Sequence, residues 1–310
     1  MYGPLRILDA SWHMPNVQPP RNAEQEFQRE PRIPGSRFWN VDAVATKGES
    51  VRNLPHMMPD EQTFAKAAGE LGISRDSHVV VYDTHGVFSA PRTAFTFLAF
   101  GHPKVSILDG GLPGWVDAGF PVEEGAPTAK FEKTFYEASP FPAGLVRSYV
   151  EMVANARMNP ARGGQTVLDA RSRGRYDGTE PEPRPGLSSG HIPQSLSLPF
   201  PTLLNIRTAK DPRLPQGTKY TTLKDQTQLW RTVSDAVGGM EALEKLRQAS
   251  SGGESAATAT CGSGMTAAAI WLALRQLGIQ TSIYDESWMG WASREESPIE
   301  KTEKHANDIL

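Results

Sequence analysis

The 310-residue chain carries 32 Lys and Arg against 35 Asp and Glu, a formal net charge of −3. The charges form no long run of one sign, so the chain lacks the basic stripe that direct nucleic-acid binding needs. Its longest apolar stretch, 265–274, is far short of the roughly 18 residues of a membrane-spanning helix. The single cysteine, Cys261, excludes an intrachain disulfide and any Cys-rich metal site.

With 38% hydrophobic and 22% charged residues the composition is ordinary for a globular protein. At roughly 150 residues per domain the length suits two domains. The first twenty residues hold one Arg and no basic segment leading into an apolar core, so a cytoplasmic location is expected. Residues 1–5 run directly into a strand at Ile7-Leu8-Asp9; a start further upstream would leave room for a mitochondrial address.

In chain order the elements form two echoing halves. Leu8-Asp9-Ala10 followed by Ile33-Pro34-Gly35 returns as Leu168-Asp169-Ala170 followed by Ile192-Pro193-Gln194, displaced by 160 and 159 residues. The strand-like run from His78 to Asp83 precedes a helical stretch and then Val105 to Asp109, with Trp115 six residues on. In the second half Ala259-Thr260-Cys261 precedes a helical stretch and then Ser282 to Asp285, with Trp291 again six residues on. Cys261 therefore takes the place of Asp83.

Short β-rich runs alternate with amphipathic stretches such as 60–71 and 226–236, which predicts βα units and a mostly parallel sheet flanked by helices in each half. Gly and Pro in 125–144 read as a linker. The expected domains are thus 1–124 and 145–310. The least strand-like segment is 255–260, where Ala and Thr replace Val and Ile.

Cys261-Gly262-Ser263-Gly264-Met265-Thr266 ends that strand and opens a helix over 267–277. Two glycines with φ > 0 would let successive N–H groups point inward, and the helix start adds its own unpaired N–H groups. A thiol in such a cradle is held toward its reactive thiolate. An unpaired intracellular cysteine is more often a small buried hydrophobe, but the loop and helix start outweigh that reading here. Cysteine-dependent phosphatases need an Arg six residues after the Cys, and position 267 is Ala.

These residues resemble the tandem-domain sulfurtransferases of the rhodanese superfamily, and within it the branch that uses 3-mercaptopyruvate. The resemblance covers nearly the whole chain. It is carried by the loop at 261–267, by the segment from Gly174 through Arg175 and Arg184 to Gly186, and by Gly190-His191-Ile192-Pro193. In the first half its carriers are Leu54-Pro55-His56-Met57-Met58-Pro59 and Phe88-Ser89-Ala90-Pro91-Arg92.

The resemblance implies two rhodanese-like domains with an inert N-terminal one, Asp83 standing where Cys261 stands, and an active site between them. It implies that Cys261 takes sulfur from 3-mercaptopyruvate as a persulfide and releases pyruvate. Arg175 and Arg184 would hold the substrate from an extended loop; solvated or ion-paired loop arginines are the plainer reading, given Glu180 and Glu182. Gly262, Gly264, Met265 and Thr266 would line the substrate loop. Ser263, His56 and Asp42 match a proton-relay triad, although His56 alone would read as a structural loop histidine.

The neutral Gly262 and Ser263 favour a monoanionic keto acid, since thiosulfate-using relatives carry basic residues there. The acceptor would come from outside: thioredoxin, a small thiol, cyanide or a sulfur-carrier protein. No metal or organic cofactor is implied, and a monomer is expected. Thiosulfate as donor and a non-catalytic sulfur-relay module are the alternatives. The chain departs from the family pattern at Arg32, at Glu286 and at Met265.

Overall fold

The structure, a computed structural model, describes residues 3–128, 131–158 and 164–302. In the first half these elements follow one another: β1 (Leu5–Asp9), α1 (Ala23–Arg29), β2 (Arg37–Phe38), α2 (Val41–Val44), α3 (Glu61–Glu70), β3 (His78–Tyr82), α4 (Ala90–Ala99), β4 (Val105–Ile107) and α5 (Gly111–Asp117). The strands pair in the order β2-β1-β3-β4, all parallel. Asn22, Asn40 and Asp60 cap α1, α2 and α3, each side chain accepting a first-turn N–H. Trp39, Phe64, Phe97 and Phe100 form a fully buried aromatic cluster.

The second half contains β5 (Val146–Arg147), α6 (Tyr149–Arg157), β6 (Thr166–Asp169), α7 (Arg173–Asp177), β7 (Leu196–Ser197), β8 (Leu204–Thr208), β9 (Lys219–Leu223), α8 (Gln226–Val237), α9 (Met240–Ala249), β10 (Ala257–Thr260), α10 (Ala267–Gln276), β11 (Thr281–Tyr284) and α11 (Ser287–Ala292). Its parallel sheet runs β5-β11-β10-β6-β7. The segment least like a strand in sequence is the centre of this sheet. All four β10 residues are buried, and the Thr258 hydroxyl is satisfied by Ser282 Oγ at 2.8 Å and Gln165 Oε1 at 3.0 Å, so Thr is tolerated inside.

The chain divides into two compact units. One comprises Met1–Lys47, Pro55–Pro142 and Leu204–Lys224; the other comprises Gly48–Leu54, Ala143–Leu203 and Asp225–Leu310. Two segments therefore change sides relative to contiguous halves. The antiparallel hairpin β8-β9 belongs to the first unit. There Thr221 N donates to His85 O at 3.0 Å, Val87 N to Thr221 Oγ1 at 3.0 Å and Leu223 N to Asp109 Oδ1 at 2.7 Å.

The stretch read as a linker is packed in its described part. Residues 129 and 130 lie outside the described residues. Thr134 N donates to Gly69 O at 2.9 Å, and Tyr136 stacks on His102 with 5.8 Å between ring centroids. The segment lacks periodicity because it is an extended chain held by backbone bonds, not because it is free.

Candidate active site

In the second unit, Cys261 follows β10 directly, where a parallel sheet presents its loops at the carboxyl ends of its strands. The thiol is 2% exposed, and Gly264 N donates to its Sγ at 3.2 Å. Gly264 has φ +83°, the left-handed backbone the sequence anticipates. Gly262 does not share it. Its lack of a side chain serves space instead, since a Cβ there would lie 2.8 Å from Arg184 Nη1 and 3.4 Å from Arg175 Nη2.

The loop is clamped from behind by the start of α11. Trp288 N donates to Cys261 O at 2.9 Å and Met289 N to Gly262 O at 3.0 Å. Cys261 N donates to Ser287 Oγ at 3.2 Å. Ser287 is fully buried with φ +51°, a costly conformation for a residue with a Cβ. The repeat carries its signal: in the first unit Gly111, two residues after Asp109 as Ser287 is after Asp285, has φ +53°. Ser263 and Met265 are buried in the loop, and Thr266 stands at the start of α10.

Arg175 lies on the short helix α7, not on an extended loop. Ser172 caps that helix and Gly178 ends it with φ +80°, before the prolines begin. Arg184 does lie in the Pro-rich segment. Both arginines converge on Glu182, whose side chain is fully buried. Arg175 Nη2 is 2.6 Å from Glu182 Oε1, Arg175 Nε is 3.1 Å from Oε2, and Arg184 Nη1 is 3.0 Å from Oε1. The ion-paired alternative is thus realised, at a carboxylate that itself stands within the loop's surroundings.

Arg171 adds a third guanidinium, with Nη1 3.6 Å from Glu182 Oε2. Its charge is matched by Asp169, 2.6 Å from Nη2, and its plane stacks on Trp288 at 4.0 Å. Glu286, the departure next to Ser287, pairs with Arg294 at 2.6 Å.

In the first unit the structure brings Asp42 and His56 together, with Asp42 Oδ1 2.7 Å from His56 Nδ1. His56 is 5% exposed with φ +60°, and its carbonyl accepts from Arg92. Asp42 sits on α2 and is half-exposed. Trp12 completes the group: its Nε1 donates to Asp42 Oδ2 at 3.0 Å, and its ring meets His56 edge-on at 4.8 Å. Burial pushes the Asp42 pKa up, but the His56 and Trp12 contacts outweigh it and hold the carboxyl below the usual carboxylate range.

Among the described residues, no group of three or more His, Cys, Asp or Glu could hold a metal ion, and no helix is long and apolar enough to cross a membrane.

The rhodanese-like domain model matches residues 20–118 and 153–294. The 3-mercaptopyruvate sulfurtransferase of Escherichia coli K12 is 34% identical over 96% of this chain and 92% of its own length. The mitochondrial thiosulfate/3-mercaptopyruvate sulfurtransferase 1 of Arabidopsis thaliana is 34% identical over 96% of this chain and 74% of its own. Among solved structures, the Tum1 protein of Saccharomyces cerevisiae superposes with a TM-score of 0.77 at 29% identity, over 96% of this chain and 92% of that one. The chain belongs to the rhodanese family.

Proposed function

We propose that this rhodanese-family sulfurtransferase takes sulfur from 3-mercaptopyruvate onto Cys261 and hands it to an external thiol. Sulfurtransferase activity accords with the curated relatives, matched over nearly the whole chain. The observation that carries the donor assignment is the loop itself: a Gly264 N–H aimed at Cys261 Sγ, with two guanidiniums packed against Gly262 and no charge at Gly262 or Ser263.

The Cys261 thiolate attacks the sulfur of 3-mercaptopyruvate. The new bond is S–S and the bond broken is C–S, whose electron pair leaves as the enolate of pyruvate. Arg175 and Arg184 hold the carboxylate and keto oxygen and stabilise the charge that develops there. Ser263, His56 and Asp42 are the residues we assign to the relay of the proton that converts the enolate carbon to the methyl group. Gly262, Gly264, Met265 and Thr266 shape the loop around the donor.

Because Cys261 is the only cysteine, resolution needs an external nucleophile. A small thiol, thioredoxin, cyanide or a sulfur-carrier protein attacks the outer sulfur and regenerates the thiolate. A reducing compartment supplies such thiols, the cytoplasm first and a mitochondrial matrix second. One specific observation favours thiosulfate as an additional donor: the name of the Arabidopsis relative covers both compounds.

The test is pyruvate release from 3-mercaptopyruvate with a dithiol acceptor, run beside thiosulfate turnover, for the wild-type chain and Cys261→Ser. The expected result is a higher kcat/KM for 3-mercaptopyruvate, abolished in the variant. A preference for thiosulfate would move the donor assignment. Inactivity with both donors would leave a binding module.

A further inference from the structure

Glu182 forms and breaks no bond in the transfer, yet its side chain is fully buried and touches both arginines assigned to the donor. Burying a carboxylate is costly unless its charge is matched. Here it is overmatched. With Arg171 paired to Asp169, the two guanidiniums of Arg175 and Arg184 set against one Glu182 carboxylate leave one net positive charge beside Gly262, not two.

Glu182 also fixes which donors are spent. It takes Nε and Nη2 of Arg175 and Nη1 of Arg184. A donor molecule therefore meets guanidiniums that are already oriented, each with only part of its hydrogen-bonding capacity unspent.

We propose that Glu182 is a positioning and specificity residue that matches the arginine pair to a monoanion and selects against dianions of the same size. This rests on the reading of Arg175 and Arg184 as the donor's anchors. A single carboxylate neutralises the residual charge. A dianion would bring a second charge with no counterpart beside a buried carboxylate, and an uncompensated charge there is expensive.

Pyruvate and oxalate are a suitable probe pair, close in size and carrying one and two negative charges at about neutral pH. Their dissociation constants from the full-length chain would be measured by ligand-observed NMR, which needs no turnover. In the wild type, pyruvate should bind about tenfold more tightly than oxalate, and in Glu182→Gln the preference should shift toward oxalate by about tenfold or more. Glu182→Asp keeps the charge and should keep the wild-type ratio while weakening both ligands.

Equal affinities in the wild type, an unchanged ratio in Glu182→Gln, a ratio shifted toward oxalate in Glu182→Asp, or binding of neither acid to an active enzyme would each overturn the proposal. A purely structural Glu182 would weaken both ligands in both variants by the same factor. If Glu182→Gln does not fold, equal affinities in the wild type or a ratio shifted toward oxalate in Glu182→Asp would still overturn the proposal. Failure of the functional reading shows separately, as absence of pyruvate release from 3-mercaptopyruvate.

Discussion

Asp83 and Cys261 stand at the same point of the repeated fold, each directly after a central strand, and each turns its side chain back onto its own loop. Cys261 Sγ accepts from Gly264 N. The Asp83 carboxylate accepts from five backbone N–H groups, those of His85 and Gly86 on Oδ1 and those of Phe88, Ser89 and Ala90 on Oδ2. The first unit thus keeps the anion cradle and fills it with a residue of its own.

The first prediction concerns that plug. Asp83→Ala would strand several buried N–H groups at once, each worth on the order of 1 kcal/mol. Stability of the chain should fall by at least about 3 kcal/mol in urea unfolding. The Cys261 loop belongs to the other unit, so the folded variant should retain a reactive thiol. A loss below about 1 kcal/mol would mean that the loop does not depend on the carboxylate.

The repeat and the Cys261 loop were legible because local chemistry dictates them: a strand, a glycine in the left-handed region and a helix start. No local pattern assigns the hairpin β8-β9 to the first unit, because Thr221 meets His85 and Val87 across more than a hundred residues of sequence. Glu182, between Pro181 and Pro183, reads as a candidate ion-pair partner of loop arginines; only the convergence of Arg175 and Arg184 shows that its side chain is buried. Asp42 and His56 came from resemblance, and their 2.7 Å contact needed the fold. In sequence Gly262 reads as a backbone requirement, whereas its cause is the neighbouring guanidinium.

A difference between the repeats makes stability depend on pH. Asp169 is paired with Arg171, whereas Asp9, in the equivalent place, has Ser11 two residues on. Burial pushes Asp9 up from 3.8 to about 6; the Ser11 and Tyr82 hydrogen bonds oppose the rise and the Asp83 charge adds to it. The folded chain therefore holds this proton more tightly than the unfolded chain does. The contribution is fully present below about pH 4 and is lost as pH climbs through about 6, roughly 3 kcal/mol in all. Asp9→Asn should flatten this part of a stability-versus-pH curve. A curve unchanged by the substitution would refute the assignment.

Trp12 offers a test of the Asp42–His56 pair that spares both residues. Trp12→Phe keeps an aromatic ring against His56 but removes the N–H that reaches Asp42 Oδ2. The Asp42 carboxyl loses one of the contacts holding it below the usual range, so its pKa should rise. If the ionised carboxylate orients the His56 relay, kcat for 3-mercaptopyruvate should drop by about threefold to tenfold, with KM little changed. The acid side of the rate profile should move to higher pH. A lower kcat with an unmoved profile would point to packing alone.

The tight approach of Arg184 to Gly262 makes that glycine a probe of the donor site. Its backbone lies outside the left-handed region, so Gly262→Ala should cost little through conformation, within about 1 kcal/mol in thermal unfolding. The added methyl would lie 2.8 Å from Arg184 Nη1, the end of a flexible side chain, which would be pushed away from Gly262. Displacing a substrate-orienting group by about 1 Å can cost up to a hundredfold in rate. The expected outcome is a fall of tenfold or more in kcat/KM for 3-mercaptopyruvate, carried mainly by KM, while alkylation of Cys261 by a neutral reagent continues at close to the wild-type rate. Unchanged kinetics in a folded variant would remove Arg184 from the donor's anchors, whereas an equal loss of alkylation would place the damage in the thiol's own loop.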